Sequence, residues 1–153
     1  MNSKYTLRTS EAKDAKFLFH VKIEAMKPTS SISRTALDYD KEFAEYLKKF
    51  EPEKIQVIQF AGKDVGRLRI VRSPNSIYIG GIQILPEFQG KGIGTAILKD
   101  LIAESETTRI PITLEVHHAN KRAISFYKNL GFRENGKTEK QDLMEYRPKS
   151  QIA

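Results

Sequence analysis

Three glycines at alternate positions form the part of this sequence best suited to hold an anionic ligand. They lie between an apolar strand pattern and an apolar helix pattern, in the segment Gln89-Gly90-Lys91-Gly92-Ile93-Gly94-Thr95. Glycine lets backbone N–H groups approach a ligand closely, because no Cβ stands in the way. The first turn of the following helix adds unpaired N–H groups and the positive end of its dipole. The segment predicts a phosphate or pyrophosphate cradle, with a simple helix-capping turn as the alternative. Its spacing does not fit the P-loop, and its place after a fourth strand does not fit the dinucleotide fingerprint.

A polar pair on one predicted helix is the second candidate for chemistry. Asn120 and Tyr127 are seven residues apart, which is two helical turns, so they lie on one face of the helix. Taken singly, Asn120 is most simply a helix cap and Tyr127 a core residue. A side-chain amide and a phenol that face the same way call for an explanation beyond packing.

The strand before the glycine segment changes phase. Its isoleucines alternate on odd positions at the start and on even positions at the end: Ile77, Ile79, Ile82 and Ile84. One extra residue in a strand makes a β-bulge, and Gly80-Gly81 is where the backbone would accommodate it. We expect a bulge that frees backbone groups just before the cradle; the alternative is a strand buried on both faces.

The elements that position these residues follow from the hydrophobic period. Tyr5–Thr9 alternates like a strand, Ser10 can cap a first helix, and Asp38 or Asp40 can begin a second. Three strands then precede the glycine segment and its helix, and a strand, the Asn120 helix and two short strands follow. The order β-α-α-β-β-β-α-β-α-β-β predicts an α+β (mixed α/β) fold. Without a linker or an internal repeat, it predicts a single domain over residues 1–153.

The composition narrows the function. The 153 residues contain no cysteine, which excludes disulfides, thiolate zinc sites and cysteine nucleophiles. The histidines, at positions 20, 117 and 118, are too scattered for a convincing metal set, so we expect no metal. No signal peptide is recognisable, and no apolar run approaches the ~20 residues that span a membrane. We therefore expect a cytoplasmic protein without a membrane partner.

Residues 82–94 and 120–132 together carry a family resemblance. The first segment resembles the Gln/Arg-x-x-Gly-x-Gly/Ala motif, and the second the Asn…Ala…Phe-Tyr…Gly-Phe helix, of the GNAT superfamily of acetyl-CoA-dependent N-acetyltransferases. Both occur in the family's order and about the right distance apart. The resemblance implies a GNAT-like single domain with a central, mostly antiparallel sheet whose fourth and fifth strands splay apart.

The resemblance also implies acetyl-CoA as co-substrate, with its pyrophosphate on the glycine segment and its pantetheine arm paired with the backbone. An N–H group near Ile82 would polarise the thioester carbonyl and stabilise the oxyanion. Asn120 would bind the pantetheine, Tyr127 would protonate the departing thiolate, and Lys128 would lie near the 3′-phosphate. The implied cofactor-binding residues are Ile82, Ile84, Gln89, Gly90, Lys91, Gly92, Gly94, Thr95, Asn120, Tyr127 and Lys128.

The sequence departs from the family at the position of the usual general base. Many members carry a glutamate on the fourth strand, and that position is Tyr78 here. The nearest candidates, on or directly after the fifth strand, are Glu115, His117 and His118, with Glu115 as our choice for the catalytic set and a water chain as an alternative. Each is equally readable as a surface-facing polar residue. Glu24 binds a cationic acceptor or is simply solvated.

The sequence thus predicts an acyltransferase that moves the acetyl group of acetyl-CoA to a primary amine by direct attack in a ternary complex. A weak or inactive acyl-CoA-binding or regulatory domain is the alternative. The net charge of +7 suggests a remote second alternative, a basic nucleic-acid-binding module. However, residues 119–153 carry eight basic and four acidic groups, and an anionic cofactor accounts for part of that bias without any nucleic acid. The acceptor is a small-molecule or peptide amine, bound by the Ala25–Leu37 loop and the chain end, and a homodimer stays open.

Overall fold

The structure is a computed structural model and describes residues 5–26 and 38–149. Within these ranges the elements follow the predicted order. The strands are β1 (Tyr5–Thr9), β2 (Gln56–Phe60), β3 (Lys63–Arg72), β4 (Ile77–Ile84), β5 (Ile112–His117), β6 (Arg133–Lys137) and β7 (Gln141–Tyr146). The helices are α1 (Ala15–Met26), α2 (Tyr39–Lys49), α3 (Ile93–Thr108) and α4 (Lys121–Asn129), with short 3-10 turns at Ala12–Asp14, Pro52–Lys54 and Pro86–Phe88.

The described strands form a seven-stranded sheet in the order β1-β2-β3-β4-β5-β7-β6. The sheet is mostly antiparallel, and β4 and β5 are its parallel pair. Their pairing runs from Ile77 opposite Ile112 to Ile79 opposite Leu114 and ends there. Because β5 continues to His117 with β7 as its partner, the two parallel strands part where a splay is predicted. The mixed α/β architecture expected from the sequence is confirmed.

The chain divides into two compact units. The first consists of Met1–Arg69 and Gly81–Gly94, and the second of Ile70–Gly80 and Thr95–Ala153. Strands β3 and β4 therefore each contribute residues to both units. The single domain over residues 1–153 stays a prediction.

The core of the first unit joins α1 to β2 through aliphatic side chains. Leu18, Ile55 and Val57 form a buried cluster. The ring of Phe19 adds an aromatic layer, with its centroid 5.2 Å from that of Tyr46 on α2. The helix α2 begins as predicted, because the Asp38 carboxylate accepts a hydrogen bond from the backbone N–H of Lys41.

The prediction that Ser10 caps the first helix is wrong. Glu11 precedes the 3-10 turn that leads into α1, and the Asp14 carboxylate accepts the Glu11 backbone N–H at 2.8 Å. The Ser10 hydroxyl instead donates to the carbonyl of Pro52 at 2.7 Å, and its backbone N–H donates to the carbonyl of Ile55. A partner more than forty residues away outcompetes the local cap that the sequence suggests.

The core of the second unit is built on α3 and β5. The apolar stripe of α3 is buried, as its helical spacing predicts, and the same is true of alternate residues of β5. These side chains are Ile97, Leu98, Leu101, Ile112, Leu114 and Val116. Because successive side chains of a strand point to opposite faces, Glu115 and His117 lie together on the exposed face of β5.

Strand β4 carries one residue more than the stretch of β3 beside it. At one end of the pair the Ser73 N–H donates to the Ser76 carbonyl, and at the other the Leu85 N–H donates to the Val65 carbonyl. Between these two bonds the β3 side has seven residues and the β4 side eight, positions 66–72 and 77–84. One extra residue in one strand is what a β-bulge adds, in the strand where the phase change predicts it.

Candidate active site

The glycine segment forms an exposed turn that leads into α3. Gly90 and Gly92 adopt the left-handed region, with φ of 77° and 83°, which other residues enter only with strain. α3 begins at Ile93, so its first-turn N–H groups lack partners within the helix. Two left-handed glycines directly before a helix N-terminus give the backbone donors and the close approach that a phosphate needs. The residues present therefore fit a pyrophosphate.

The predicted cofactor-binding residues fall into both units. Ile82, Ile84 and residues 89–94 belong to the first, and the remaining members of the set belong to the second. Ile82 and Ile84 are half-buried in β4. The Gln89 side chain turns back and donates to the Ile84 carbonyl at 2.9 Å, so it braces the end of β4 against the start of the turn. This bond uses one acceptor position of a carbonyl expected to pair with pantetheine.

Tyr127 is a core residue of the second unit that keeps its proton. It is 7% exposed, and its ring centroid lies 5.3 Å from those of Phe126 and Phe132. Burial raises the pKa of Tyr127 to about 12, because the phenolate would be poorly solvated. At neutral pH this side chain is therefore neutral and can act only as a proton donor.

The other two candidate residues in the α4 region, Asn120 and Lys128, have structural partners. The Asn120 side chain accepts the Ala123 backbone N–H at 3.1 Å and so caps α4, the simpler of its two interpretations. The Lys128 ammonium lies 3.8 Å from Glu134 in an exposed pair. Such a pair contributes little stability, so it leaves the lysine available to an anion.

The position that carries a glutamate in many family members is linked here to one on the next strand. The Tyr78 hydroxyl of β4 donates to Oε1 of Glu115 on β5 at 3.2 Å. The two strands are paired in parallel at this point, with Tyr78 opposite Thr113. The carboxylate therefore lies beside β4 although β4 itself has none.

The two histidines of this region differ in availability. His118 has Nδ1 2.7 Å from Asp142 and Nε2 3.1 Å from the Thr138 carbonyl, so both ring nitrogens face oxygen atoms. Nδ1 of His117 accepts the Ala119 backbone N–H at 3.1 Å. Both ring nitrogens of His118 are thus engaged by neighbouring oxygen atoms, which favours Glu115 over it as the base.

The first unit contains a cavity that the sequence does not reveal. It measures about 420 Å³, and α1, α2, the segment after α2 and β3 line it. Arg67 lines it while only 8% exposed. Strand β3 carries Arg67 and Arg69 at alternate positions, a pattern typical of a solvent-facing edge, so burial of this arginine is not predictable locally.

Some of the predicted acceptor-binding segments lie outside the residues that the structure describes. Most of the Ala25–Leu37 loop and the last four residues, both expected to shape the acceptor pocket, lie outside them. Glu24 is half-buried on α1. Within residues 5–26 and 38–149, no three acidic or histidine side chains gather as metal ligands. In the same ranges, no helix has both the length and the apolarity of a membrane span.

Comparison with known proteins identifies the family. The sequence model described as "Acetyltransferase (GNAT) family" matches residues 22–132. Over 54 residues the chain is 43% identical to the [ribosomal protein bS18]-alanine N-acetyltransferase of Salmonella typhimurium, a match that spans 35% of this chain and only 36% of that protein. It is 29% identical over 107 residues to the peptidyl-lysine N-acetyltransferase YjaB of the same organism, covering 69% of this chain and 68% of YjaB.

The fold agrees with this assignment. The PaiA N-acetyltransferase of Thermoplasma acidophilum, solved in complex with coenzyme A, superposes with a TM-score of 0.70 at 20% identity, over 94% of this chain and 99% of that one. That likeness concerns the fold alone, whereas the family match includes both the glycine segment and the whole of α4. This chain therefore belongs to the GNAT family of acetyltransferases.

Proposed function

We propose that the chain transfers the acetyl group of acetyl-CoA to a primary amine by direct attack in a ternary complex. The observation that carries this is the left-handed pair Gly90 and Gly92 before the N-terminus of α3, inside the family match. The Thermoplasma relative binds coenzyme A, and the Salmonella relatives are named for acetylating an alanine and a lysine. Amines are the acceptors common to these names.

The chain's own residues divide the work as follows. The backbone of residues 89–95 holds the pyrophosphate, and the backbone of Ile82 and Ile84 orients the pantetheine arm. The Ile82 N–H donates to the thioester oxygen as negative charge develops there. Acetyl-CoA supplies the activated acetyl group; a C–N bond forms to the amine while the C–S bond breaks. Holding the amine and the thioester in one orientation supplies much of the rate.

Two protons move during this transfer. Glu115 accepts the proton that the attacking amine loses, with its carboxylate positioned by the Tyr78 hydroxyl. Tyr127 donates the proton that the leaving thiolate takes up, and its raised pKa keeps that proton in place until then. Asn120 binds a pantetheine amide while its side-chain oxygen caps α4, and Lys128 binds the 3′-phosphate.

The test is direct assay of the purified full chain. Acetyl-CoA is mixed with free amino acids, a peptide with a free N-terminus, a lysine-containing peptide and a polyamine, and thiol release is followed together with the mass of the product. We expect an acetylated amine in at least one mixture. Acetyl-CoA that binds without any thiol release above the uncatalysed rate would overturn transfer and leave an acyl-CoA-binding domain.

A further inference from the structure

The cavity of the first unit has the size and the walls of a small-molecule site. Its volume is about 420 Å³. The rings of Phe19, Tyr46 and Phe50 form a continuous aromatic wall, with centroid separations of 5.2 Å and 5.5 Å between neighbours. A concave, largely apolar surface with a few polar groups is typical of sites that bind small ligands. An apolar or aromatic group fits against this wall.

The charge around the cavity is positive. Five basic and three acidic side chains line it. Of the acidic ones, Glu45 and Glu51 are paired with lysines on their own segments, at 2.9 Å and 3.2 Å. Burial and the neighbouring cations of Arg67 and Lys49 lower the pKa of Lys22. The cavity therefore favours a ligand with an anionic group over a cationic ligand.

Two buried polar atoms in its lining have no partner among the described residues. They are Nε of Arg67 and the hydroxyl oxygen of Tyr46. The Arg67 guanidinium, more than nine-tenths buried, donates from Nη1 to Oε1 of Gln83 at 2.6 Å, but no carboxylate in the described ranges pairs with it. Burying an unpaired charge and leaving buried donors unsatisfied are both costly. A ligand that supplies an anionic acceptor removes both costs.

A glycine on β4 leaves room for the Arg67 guanidinium. A Cβ added to Gly81 would stand 2.8 Å from Nη1 of Arg67, closer than side chains pack. Gly81 thus leaves the space that Arg67 fills beside Gln83. Gly81 belongs to the glycine pair at which the isoleucine pattern of β4 changes phase.

We propose that this cavity binds the carboxylate of the acceptor, so that the acceptor is a small amino-carboxylate with an apolar or aromatic side chain. The inference rests on the proposed function and names the substrate class of that reaction. The carboxylate accepts hydrogen bonds from Arg67 and Tyr46, and the apolar side chain packs on Phe19 and Phe50. The edge of a guanidinium can hold a planar carboxylate through two parallel hydrogen bonds.

A binding experiment tests the site without any acetyl transfer. Phenylacetate, which has the carboxylate and the ring but no amine, is titrated into the full chain by calorimetry. We expect binding to the parent protein and loss of at least ten-fold in affinity for Arg67→Met and for Gly81→Ala, which displaces the guanidinium without removing its charge. Arg133→Met removes an equal charge from exposed β6 and leaves the affinity unchanged. Equal affinity in all four proteins, or no binding to the parent, overturns the site.

A transfer experiment tests the substrate class. L-phenylalanine is compared with phenethylamine, and L-leucine with 3-methylbutylamine, which differ by the carboxylate alone. We expect kcat/KM to favour the carboxylate member of at least one pair about 10- to 100-fold, and Arg67→Met to bring that ratio close to one. Arg67→Lys keeps part of the preference because it keeps the charge. Amines that are acetylated equally well with and without a carboxylate overturn the inference.

The two proposals fail in different ways. If amines without a carboxylate are acetylated and phenylacetate does not bind, acetyl transfer stands and the acceptor class is wrong. If phenylacetate binds in an Arg67-dependent way but no amine is acetylated, the anion site stands, and both the proposed function and the acceptor role of the cavity are wrong.

Discussion

The Tyr78 hydroxyl donates a hydrogen bond to Oε1 of Glu115 over 3.2 Å, from β4 to β5. A tyrosine thus stands where many members of the family carry a glutamate, and it contacts a glutamate supplied by the neighbouring strand. The carboxylate is exposed, so an incoming amine can reach it. This hydrogen bond is our reason for proposing Glu115, among the three candidates on or next to β5, as the general base.

We expect Glu115→Gln to lower kcat by about 10²- to 10³-fold, because the amide cannot accept the amine's proton. The lost rate should return as the pH rises through the acceptor's own pKa, since the amine then arrives already deprotonated. Tyr78→Phe should cost less than ten-fold, as it only releases the carboxylate from its hydrogen bond. Steady-state thiol release against pH measures both. Glu139→Gln, an exposed charge loss, is the control, and a Glu115→Gln enzyme within two-fold of the parent would reject the assignment.

Tyr127→Phe should lower kcat by about 10²-fold and leave the affinity for acetyl-CoA nearly unchanged. Phenylalanine fills the same buried space, so thermal unfolding should stay close to that of the parent. Burial raises the pKa of Tyr127 to about 12, so the phenol of the parent enzyme stays protonated below that pH. Loss of this proton should therefore not lower the rate of the parent up to about pH 10.

A second buried tyrosine provides the control for Tyr127. Tyr146 is 8% exposed and donates to Glu106 at 2.6 Å, so Tyr146→Phe removes a phenol from the second unit without touching the proposed acid. This variant should lose stability and keep its turnover. Turnover that falls equally in both variants would mean that packing, not proton transfer, explains the Tyr127 effect.

Much of the fold could be predicted because its signals are local. The alternation over Tyr5–Thr9 gives β1 with the same bounds, Asp38 caps α2, and the isoleucine phase change agrees with the residue count of β4. The glycine segment is legible for the same reason, since left-handed backbone before a helix needs glycine at particular positions.

The rest depends on contacts between residues distant in sequence. Ser10 donates to Pro52 instead of capping the turn beside it, and the buried Arg67 donates to Gln83 in space that Gly81 leaves open. Neither environment has a periodic signature, because periodicity reports which face is apolar and not which element covers it. The candidate acid could be predicted from the sequence, whereas the cavity lined by Arg67 could not.

Gly92→Ala should weaken acetyl-CoA binding and cost about 1–2 kcal/mol of stability, because alanine is strained at a φ of 83° and a methyl group would crowd the phosphate that we propose to bind there. Gly92→Glu should abolish binding through bulk and charge. Gly62→Ala is the matched control: Gly62 has a φ of 77° and open space around it, in the turn between β2 and β3. Calorimetry should show similar strain in both alanine variants but a lower affinity only for Gly92→Ala. Equal affinities would contradict the cradle.

The Arg8–Asp14 pair predicts how stability depends on acid. Two hydrogen bonds of 2.9 Å join the guanidinium to the Asp14 carboxylate, which is 6% exposed. The bond from Arg8 is the main reason that the pKa of Asp14 is lowered from 3.8. A carboxyl with a lower pKa in the folded state stabilises the protein fully above its unfolded pKa, and this contribution disappears as the pH falls below about 4 through the folded value.

Arg8→Met should therefore cost about 1–3 kcal/mol at pH 7, since Asp14 stays buried without its cation, and should flatten the loss of stability below pH 4. Urea unfolding between pH 2.5 and 7 measures both effects. Arg133→Met, which removes an exposed arginine, should change stability by less than about 0.5 kcal/mol and keep the parent's acid dependence. An Arg8→Met protein whose stability falls with acid as steeply as the parent's would show that Asp14 is not the group responsible.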